Sequence, residues 1–237
     1  MNLLPRRIVL SLAALALAAS AAAQPYPTRP IRIIVPSTPG GSVDMLARTV
    51  GARLGERWGQ QVVVDNRSGA GGVIAGELTA KAAPDGYTLI MATISSMATN
   101  VSLTRNLPYD PLRDFAPVTH VASQQIVLLA NAGFAAKTVG ELIALAKAKP
   151  GQIAFATAGN GTGGHLAGEL LKILAGIDLT HIPYKGSAPA LVDVISGQVA
   201  LTPISINTAL PPIKSGRVRA LAVSGAHRSP ALPDTPT

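Results

Sequence analysis

Short runs of β-branched and aliphatic residues alternate along the chain with alanine-rich stretches that have helical spacing. The predicted strands are IRIIV (31–35), VVV (62–64), YTLIMA (87–92), IVLLA (126–130), IAFATA (153–158), THIPY (180–184), VALTPI (199–204) and RALAVS (219–224). The predicted helices span 43–57, 72–82, 138–148, 164–175, 187–196 and 207–214. Thr138, followed three residues later by Glu141, has the capping-box pattern of a helix start. This alternation is typical of an α/β fold with largely parallel sheets.

The first residues follow the pattern of an export signal. Arg6 and Arg7 precede the apolar run IVLSLAALALAA, and SAAAQ offers a small-residue cleavage site after Ala23. This arrangement predicts a signal peptide over residues 1–23 rather than a membrane-spanning helix, which needs ~20 apolar residues. We therefore expect an exported, periplasmic protein.

Composition narrows the classes of function. The 237 residues contain no cysteine, which excludes disulfides and a lipid-anchoring cysteine. The formal net charge is +8, but lysine and arginine are scattered and form no basic run of the kind that nucleic-acid binding requires. A basic chain without such a run suits a small anionic ligand and no nucleic acid.

Glycine-rich segments stand where predicted strands give way to helices. PSTPGGSVD (36–44) follows the first strand, and DNRSGAGGVIAGEL (65–78), ATAGNGTGGHLAGELL (156–171) and YKGSAPALVDVI (184–195) repeat the arrangement. The unpaired N–H groups of a helix N-terminus carry partial positive charge and bind carboxylate or phosphate. Glycine and serine at such places also serve simply as caps and turns. Several of them at the carboxyl ends of strands predict a cleft for an anionic ligand.

Dinucleotide binding, metal binding and catalysis have less support in the sequence. GNGTGG (159–164) matches a dinucleotide fingerprint, but the next strand leads into Lys185 rather than an acidic residue that could hold a ribose. His165 and Glu169 have metal-like spacing without a third ligand nearby, so we expect neither metal nor cofactor. The chain has no G-x-S-x-G elbow and no cysteine nucleophile. An exported enzyme that uses Asp44 or His165 for acid–base chemistry is the alternative hypothesis.

Six segments together resemble one family. They are YPTRPIRIIVPSTPGGSVDMLAR, VVVDNRSGAGGVIAGELTAKAAPDGYTL, LPYDPLRDFAPVTHVA, IAFATAGNGTGGHLAGELL, THIPYKGSAPALVDVISGQV and IKSGRVRALAVSGAHRSPALPDTPT. In this order they are similar to the Bug family, the extracytoplasmic solute-binding proteins of tripartite tricarboxylate transporters. The resemblance implies a two-lobed α/β periplasmic binding protein with type II, Venus-flytrap topology. It also implies a small organic acid as ligand and the membrane subunits of a transporter as partners.

The resemblance further implies a ligand site between the lobes. In the family pattern the loop matching PSTPGGSVD faces the loop matching GNGTGGH, and both hold a ligand carboxylate, partly through ordered water. The matching positions are Ser37, Thr38, Gly40, Gly41 and Asp44 in the first lobe, Ser95, Ser96 and Thr99 in a third polar loop, Gly161, Thr162, Gly163, Gly164 and His165 in the second lobe, and Tyr184, Lys185 and Gly186 bordering the cleft. Asp44 stands where an aspartate can meet an amino-bearing ligand.

Two departures from the family pattern affect these expectations. Family members often carry an acidic or aromatic residue along the strand written here as VALTPISIN (199–207), and they continue well past PDTPT. We expect a first lobe at 24–122, a second lobe at 123–223, and in 224–237 the start of a return to an incomplete first lobe. A truncated remnant without binding activity is a further alternative. A sensory role towards a membrane kinase is compatible with ligand binding.

Overall fold

The computed structural model describes residues 25–237, and the predicted signal peptide lies outside these residues. The strands are β1 (Ile31–Val35), β2 (Val62–Asn66), β3 (Thr88–Ile90), β4 (Ile126–Asn131), β5 (Ala154–Thr157), β6 (Thr180–Pro183), β7 (Leu201–Ser205) and β8 (Val218–Val223). The helices are α1 (Ser42–Trp58), α2 (Val73–Ala80), α3 (Asn100–Leu103), α4 (Val139–Ala148), α5 (Gly163–Ala175), α6 (Ser187–Ile195) and α7 (Ile206–Lys214). The predicted strands and helices are confirmed, with their ends shifted by a few residues.

Three short helical segments were not predicted from the sequence, and α3 is one of them. A 3₁₀ turn (Ala70–Gly72) leads into α2, and a π-helical turn (Ser95–Thr99) leads into α3. The second of these replaces the polar loop expected around Ser95. None of the helices in residues 25–237 combines the length and the apolar character needed to cross a bilayer.

The strands form two sheets, one in each lobe. The first has the order β2-β1-β3 and is parallel throughout. The second has the order β6-β5-β7-β4-β8, in which β4 runs antiparallel to both of its neighbours. The expectation of largely parallel sheets therefore needs correction for the second lobe, where β4 is inserted between the parallel strands β7 and β8.

The two lobes repeat the same order of elements. β1-α1-β2-α2-β3 in the first lobe corresponds to β5-α5-β6-α6-β7 in the second, and in each sheet the first strand of the unit lies between the other two. Helices that leave neighbouring strands in opposite directions open a crevice at the carboxyl ends of those strands. Both sheets turn these ends towards the same cleft.

Each lobe has its own apolar core. Ile33, Val35 and Ala47 are buried between the first sheet and α1. The larger second lobe has one cluster on each face of its sheet, and Phe155 and Val194 belong to different clusters. The close approach of α5 to the sheet depends on Gly168, because any side chain there would collide with the Phe155 ring.

The segments outside the sheets pack against them. In the connection between the lobes, Tyr109 is buried and its hydroxyl donates to the carbonyl oxygen of Ser96 at 2.5 Å. In the tail, Val223 N–H donates to the carbonyl oxygen of Pro236 at 2.8 Å, and Leu232 joins the core of the second lobe. Within the described residues this stretch lies against the second lobe. Its return towards the first lobe stays a prediction.

Candidate ligand-binding site

The two lobes touch each other across the cleft. Thr99 Oγ1 of the first lobe donates a hydrogen bond of 2.7 Å to the carbonyl oxygen of Gly161 in the second. A Cβ atom added at Gly71 would lie 2.6 Å from the carbonyl oxygen of Asn160. The backbones approach where only glycine leaves room, so the structure represents a closed state.

Asp44 holds the first glycine-rich loop in place. The residue is 3% exposed, and its carboxylate accepts hydrogen bonds from Gly40 N–H (2.9 Å), Arg48 Nε (3.0 Å) and Asn66 Nδ2 (2.9 Å). Burial alone would raise the pKa of Asp44, but these hydrogen bonds and the charge of Arg48 outweigh it and keep the pKa below its ordinary value. Both carboxylate oxygens therefore point into the first lobe. The predicted contact with an amino-bearing ligand stays a prediction.

Helices α1 and α6 begin opposite each other in the cleft. Their N-caps are Gly41 and Gly186, and among residues 25–237 no side chain caps either end. A Cβ atom at Gly41 would lie 3.8 Å from Ser187 Oγ, and one at Gly186 would lie 2.9 Å from both Cβ and Cγ2 of Thr38. The N–H groups of a first helical turn have no intrahelical partner and carry partial positive charge. Two such ends close together are suited to an anion shared between the lobes.

Buried hydroxyl groups without partners lie in the same region. Within the described part of the chain, Ser37 Oγ, Thr38 Oγ1, Thr202 Oγ1 and Ser205 Oγ are shielded from solvent and make no hydrogen bond. Ser37, Thr202 and Ser205 line the cavity between the lobes. An unpaired buried hydroxyl costs about 1–3 kcal/mol. The Ser37, Thr202 and Ser205 hydroxyls therefore have no partner within the described part of the protein to offset this cost.

The second glycine-rich loop makes its direct contacts around the starts of α2 and α3. The loop at 159–165 lies against Gly71, Thr99 and Leu103 of the first lobe, whereas Thr38 lies against Gly186. Both loops line the cavity, and their predicted pairing around one ligand carboxylate stays a prediction. In the repeated topology the first helix of one unit faces the second helix of the other, so that α1 meets α6 and the start of α2 meets the loop before α5.

The other predicted residues of this loop serve the loop itself. Thr162 caps α5, accepting from His165 N–H and donating to the carbonyl oxygen of Gly159 at 2.8 Å. Gly161 N–H donates to His165 Nδ1 at 3.1 Å and so already has a partner. Gly164 lies against the backbone of Pro203, where no side chain fits. Gly163 borders the cavity with only an ordinary contact to Ile126 Cδ1, 3.7 Å from its Cβ position.

Three stacked aromatic rings lie at the end of the loop at 159–165. The ring centroids of His165 and His181 lie 4.2 Å apart, and those of His181 and Phe155 lie 5.0 Å apart. Thr157 Oγ1 shares a hydrogen bond of 2.7 Å with His181 Nε2. Burial, followed by repulsion from His165, lowers the pKa of His181 to about 4. The stack therefore favours the neutral form of the His181 imidazole, which packs against the ring of His165.

The contacts do not support a metal site at His165 and Glu169 or acid–base catalysis by Asp44 or His165. Glu169 pairs with Lys172 at 3.1 Å and not with His165. No group of three or more potential metal-ligating side chains converges within the described residues. Asp44 and His165, the acid–base candidates, each accept a backbone N–H of their own loop.

The remaining predicted residues have separate surroundings. Ser96 Oγ is fully buried and bonds to Thr93, whereas Ser95 lines the cavity. The Tyr184 hydroxyl donates to Asp193, and this hydrogen bond, then burial, raises the pKa of Tyr184 to about 12. Lys185 is exposed and lines the cavity next to Gly186. Ser96 and Tyr184 thus have local partners, while Lys185 is free to approach a ligand.

Sequence reasoning did not single out Ser187, Thr202 and Ser205, which the structure places in the lining of the cavity. Ser187 opens α6 directly opposite Gly41. Thr202 and Ser205 lie on β7, all five residues of which are buried. Hydroxyl residues inside an otherwise apolar strand were the available signal, because valine or alanine would fill the same space without an unpaired polar group.

The fold and the cleft define a two-lobed binding protein of the periplasmic type II class. The family of tripartite tricarboxylate transporter receptors matches residues 46–237 of the chain. The chain belongs to this family, which confirms the resemblance carried by the six sequence segments.

Relatives and solved structures agree with this assignment. Protein BugT of Bordetella pertussis is 44% identical over 222 residues, covering 93% of this chain and 68% of BugT. The structure of R. palustris Rpa4515 with adipate is 41% identical, with a TM-score of 0.88, covering 90% of this chain and 71% of that one. MatC from Rhodopseudomonas palustris with bound malate is 33% identical, with a TM-score of 0.85, covering 90% and 72%. Two relatives thus hold dicarboxylates.

Proposed function

We propose that this protein is a periplasmic solute-binding protein that captures a small organic carboxylate for a tripartite tricarboxylate transporter. The observation that carries the proposal is the meeting of two uncapped helix N-termini, at Gly41 and Gly186, beside the unpaired hydroxyls of Ser37 and Thr38. Membership of the transporter-receptor family and the adipate- and malate-bound relatives support the same ligand class.

Binding and closure are coupled in this mechanism. One carboxylate oxygen accepts from the first turn of α1 and the Ser37 hydroxyl, and the other accepts from the first turn of α6 and the Ser187 hydroxyl. An open protein offers only one of these helix ends at a time. The anion therefore binds the closed form more tightly and shifts the population towards it.

Charge and water adapt the site to its ligand. Lys185 is exposed beside the N-cap of α6, and the basic chain attracts anions towards the cleft. Water that bridges hydroxyl and N–H groups to a carboxylate allows acids of different shape to share one clamp. We expect binding without turnover, because Asp44 and His165 bond within their own loops.

The partners and the location follow from the family. We propose export by the predicted signal peptide at 1–23, residence in the periplasm, and delivery of the acid to the membrane subunits of the transporter. The sensory hypothesis finds no support in the comparisons, which concern transport, and none in residues 25–237.

Calorimetric titration of the purified mature chain with acetate, malate, adipate and citrate tests this function. At least one acid should bind, and at 100 times its dissociation constant it adds about 2.7 kcal/mol of stability, or roughly 5–10 °C in melting temperature. Gly41→Val should abolish binding, because its side chain enters the space beside Ser37 and Ser187. Gly140→Ala, whose Cβ would approach only Thr138 Oγ1 at 3.9 Å, is the control. Absence of binding by every acid, or full affinity in Gly41→Val, would contradict the proposal.

A further inference from the structure

We infer that Arg48 cancels the charge of Asp44 and thereby allows the N-terminus of α1 to bind a carboxylate. Arg48 does not line the cavity between the lobes. It acts through Asp44 and is therefore a positioning residue rather than a ligand contact. The inference rests on the proposed function, since the N-terminus of α1 is half of the carboxylate clamp. It adds the residue that sets how strongly this half attracts an anion.

Asp44 lies where its charge opposes the binding of an anion. The residue is buried in the first turn of α1. Although burial acts to raise it, the pKa of Asp44 stays below its ordinary value, so the carboxyl group is ionised at neutral pH. A negative side chain in the first turn stabilises the helix itself. The same charge repels a ligand carboxylate at that end of the helix, so the clamp needs a cation beside Asp44.

Arg48 supplies this cation from the next turn of α1. Its Nε donates to Asp44 Oδ2 at 3.0 Å, and its Nη2 donates to Asn66 Oδ1 at 3.2 Å. Asn66 Nδ2 in turn donates to Asp44 Oδ1 at 2.9 Å. The three side chains therefore close a ring of hydrogen bonds in which the two charges cancel.

The ring also holds the loop that precedes α1. Asn66 Nδ2 donates to the carbonyl oxygen of Ser37 at 3.0 Å, and Gly40 N–H donates to Asp44 Oδ2 at 2.9 Å. The Gly40 N–H is thus occupied, which leaves the N–H groups of the first turn of α1 to the ligand. One set of side chains therefore fixes both the position of the loop and the charge beside it.

Substitutions of the two charged residues separate charge from structure. Calorimetry of the mature chain with acetate, malate, adipate and citrate gives the dissociation constant of the acid that binds most tightly. Arg48→Gln leaves Asp44 without its cation and should weaken binding of this acid about tenfold. Asp44→Asn should bind the acid at least as tightly as the parent. Adding Asp44→Asn to Arg48→Gln should restore most of the lost affinity, whereas a purely structural role predicts a further loss.

Two other variants control for charge and for side-chain shape. Arg53→Gln removes the same charge from the same helix, but Arg53 is exposed and pairs with Glu56 at 3.0 Å. This variant should bind the acid within about twofold of the parent, because charges that far from the clamp are screened. Arg48→Lys keeps the positive charge and should lose less affinity than Arg48→Gln.

Several results would overturn the inference. Parent-like affinity in Arg48→Gln, or a double variant that binds no more tightly than Arg48→Gln, would show that the charge of Asp44 does not act on the ligand. An equal loss in Arg53→Gln would assign the effect to the net charge of the chain. If Arg48→Gln does not fold, weaker binding by Asp44→Asn than by the parent would decide against the inference. In each case binding by the parent leaves the clamp intact. No binding of the four acids by the parent would remove the proposed function and this inference together.

Discussion

Replacing Gly186 with alanine should keep the two lobes from closing while leaving each of them folded. The backbone at Gly186 has φ 165°, an extended conformation that alanine adopts without strain. A Cβ atom there would lie 2.9 Å from both Cβ and Cγ2 of Thr38, and closer still to its Oγ1. Because Thr38 Cβ is fixed by the backbone, rotation of the threonine side chain cannot relieve the contact. The lobes themselves must separate.

The size of the effect follows from these distances. Carbon atoms in ordinary contact are about 3.5–4.0 Å apart, so alanine opens the cleft at this point by about 1 Å. A hydrogen bond of about 2.9 Å from α6 to a carboxylate held by α1 would lengthen beyond the range of hydrogen bonding. Losing one hydrogen bond to a charged group costs about 1.5–3 kcal/mol. We expect binding of the acid to weaken about 10- to 100-fold.

Calorimetry and small-angle scattering together measure this change. Calorimetry gives the dissociation constant of whichever acid binds the parent, and scattering compares the radius of gyration with and without that acid. The parent should become more compact on binding, whereas Gly186→Ala should not. Gly140→Ala on α4 serves as the control, because its Cβ meets nothing closer than 3.9 Å. A folded Gly186→Ala that binds and compacts like the parent would refute the idea that closure against Thr38 is needed.

Three further predictions concern stability and closure. Asp44→Asn should lower the free energy of unfolding by about 1–2 kcal/mol, because it weakens charge-assisted hydrogen bonds. The folded-state pKa of Asp44 lies below its ordinary value, so this contribution is present near pH 7 and disappears as the pH falls through that pKa. If the reasoning is wrong, urea unfolding will show the same difference in free energy of unfolding between Asp44→Asn and the parent protein at pH 7 and at pH 3. The pKa of His181 is about 4 against an ordinary 6.5, so the free energy of unfolding should decrease as the pH falls from 6.5 towards 4. His181→Phe should remove this dependence of stability on pH. If the dependence is unchanged in His181→Phe, other groups cause it. Thr99→Val removes a hydrogen bond between the lobes, so acid affinity should fall about threefold to tenfold by calorimetry, with little change in urea stability; unchanged affinity would show that this bond does not favour closure.

Local features of the fold could be predicted from the sequence. Apolar runs such as 31–35 form the predicted strands, and the glycine-rich segments lie at their carboxyl ends. Thr138 caps α4 as predicted, with Glu141 N–H donating to Thr138 Oγ1, and the Glu141 carboxylate accepts from Lys137 N–H, one residue before the N-cap. Such signals act over a few residues, and so they survive in the folded chain.

The partners across the cleft could not be predicted in the same way. Whether Gly41 meets Ser187 or the loop at 159–165 depends on how the lobes are oriented, which no local pattern encodes. That the Thr202 and Ser205 hydroxyls lack a hydrogen-bond partner among the described residues is also visible only in the folded structure, where the surrounding strands and helices bury them. The environment of Ser96 could not be predicted either. Its hydroxyl donates to the carbonyl oxygen of Thr93, next to a π-helical turn that the sequence did not indicate.

Electron spin resonance between the two lobes tests most directly whether a carboxylate is clamped between α1 and α6. The chain has no cysteine, so spin labels can be placed on cysteines introduced at Arg53 on α1 and Lys147 on α4, both exposed. Addition of the bound acid should replace a broad distance distribution with a narrow one at the separation of the closed structure. If the acid binds by calorimetry and the distribution does not change, the ligand is held by one lobe alone and the clamp is wrong.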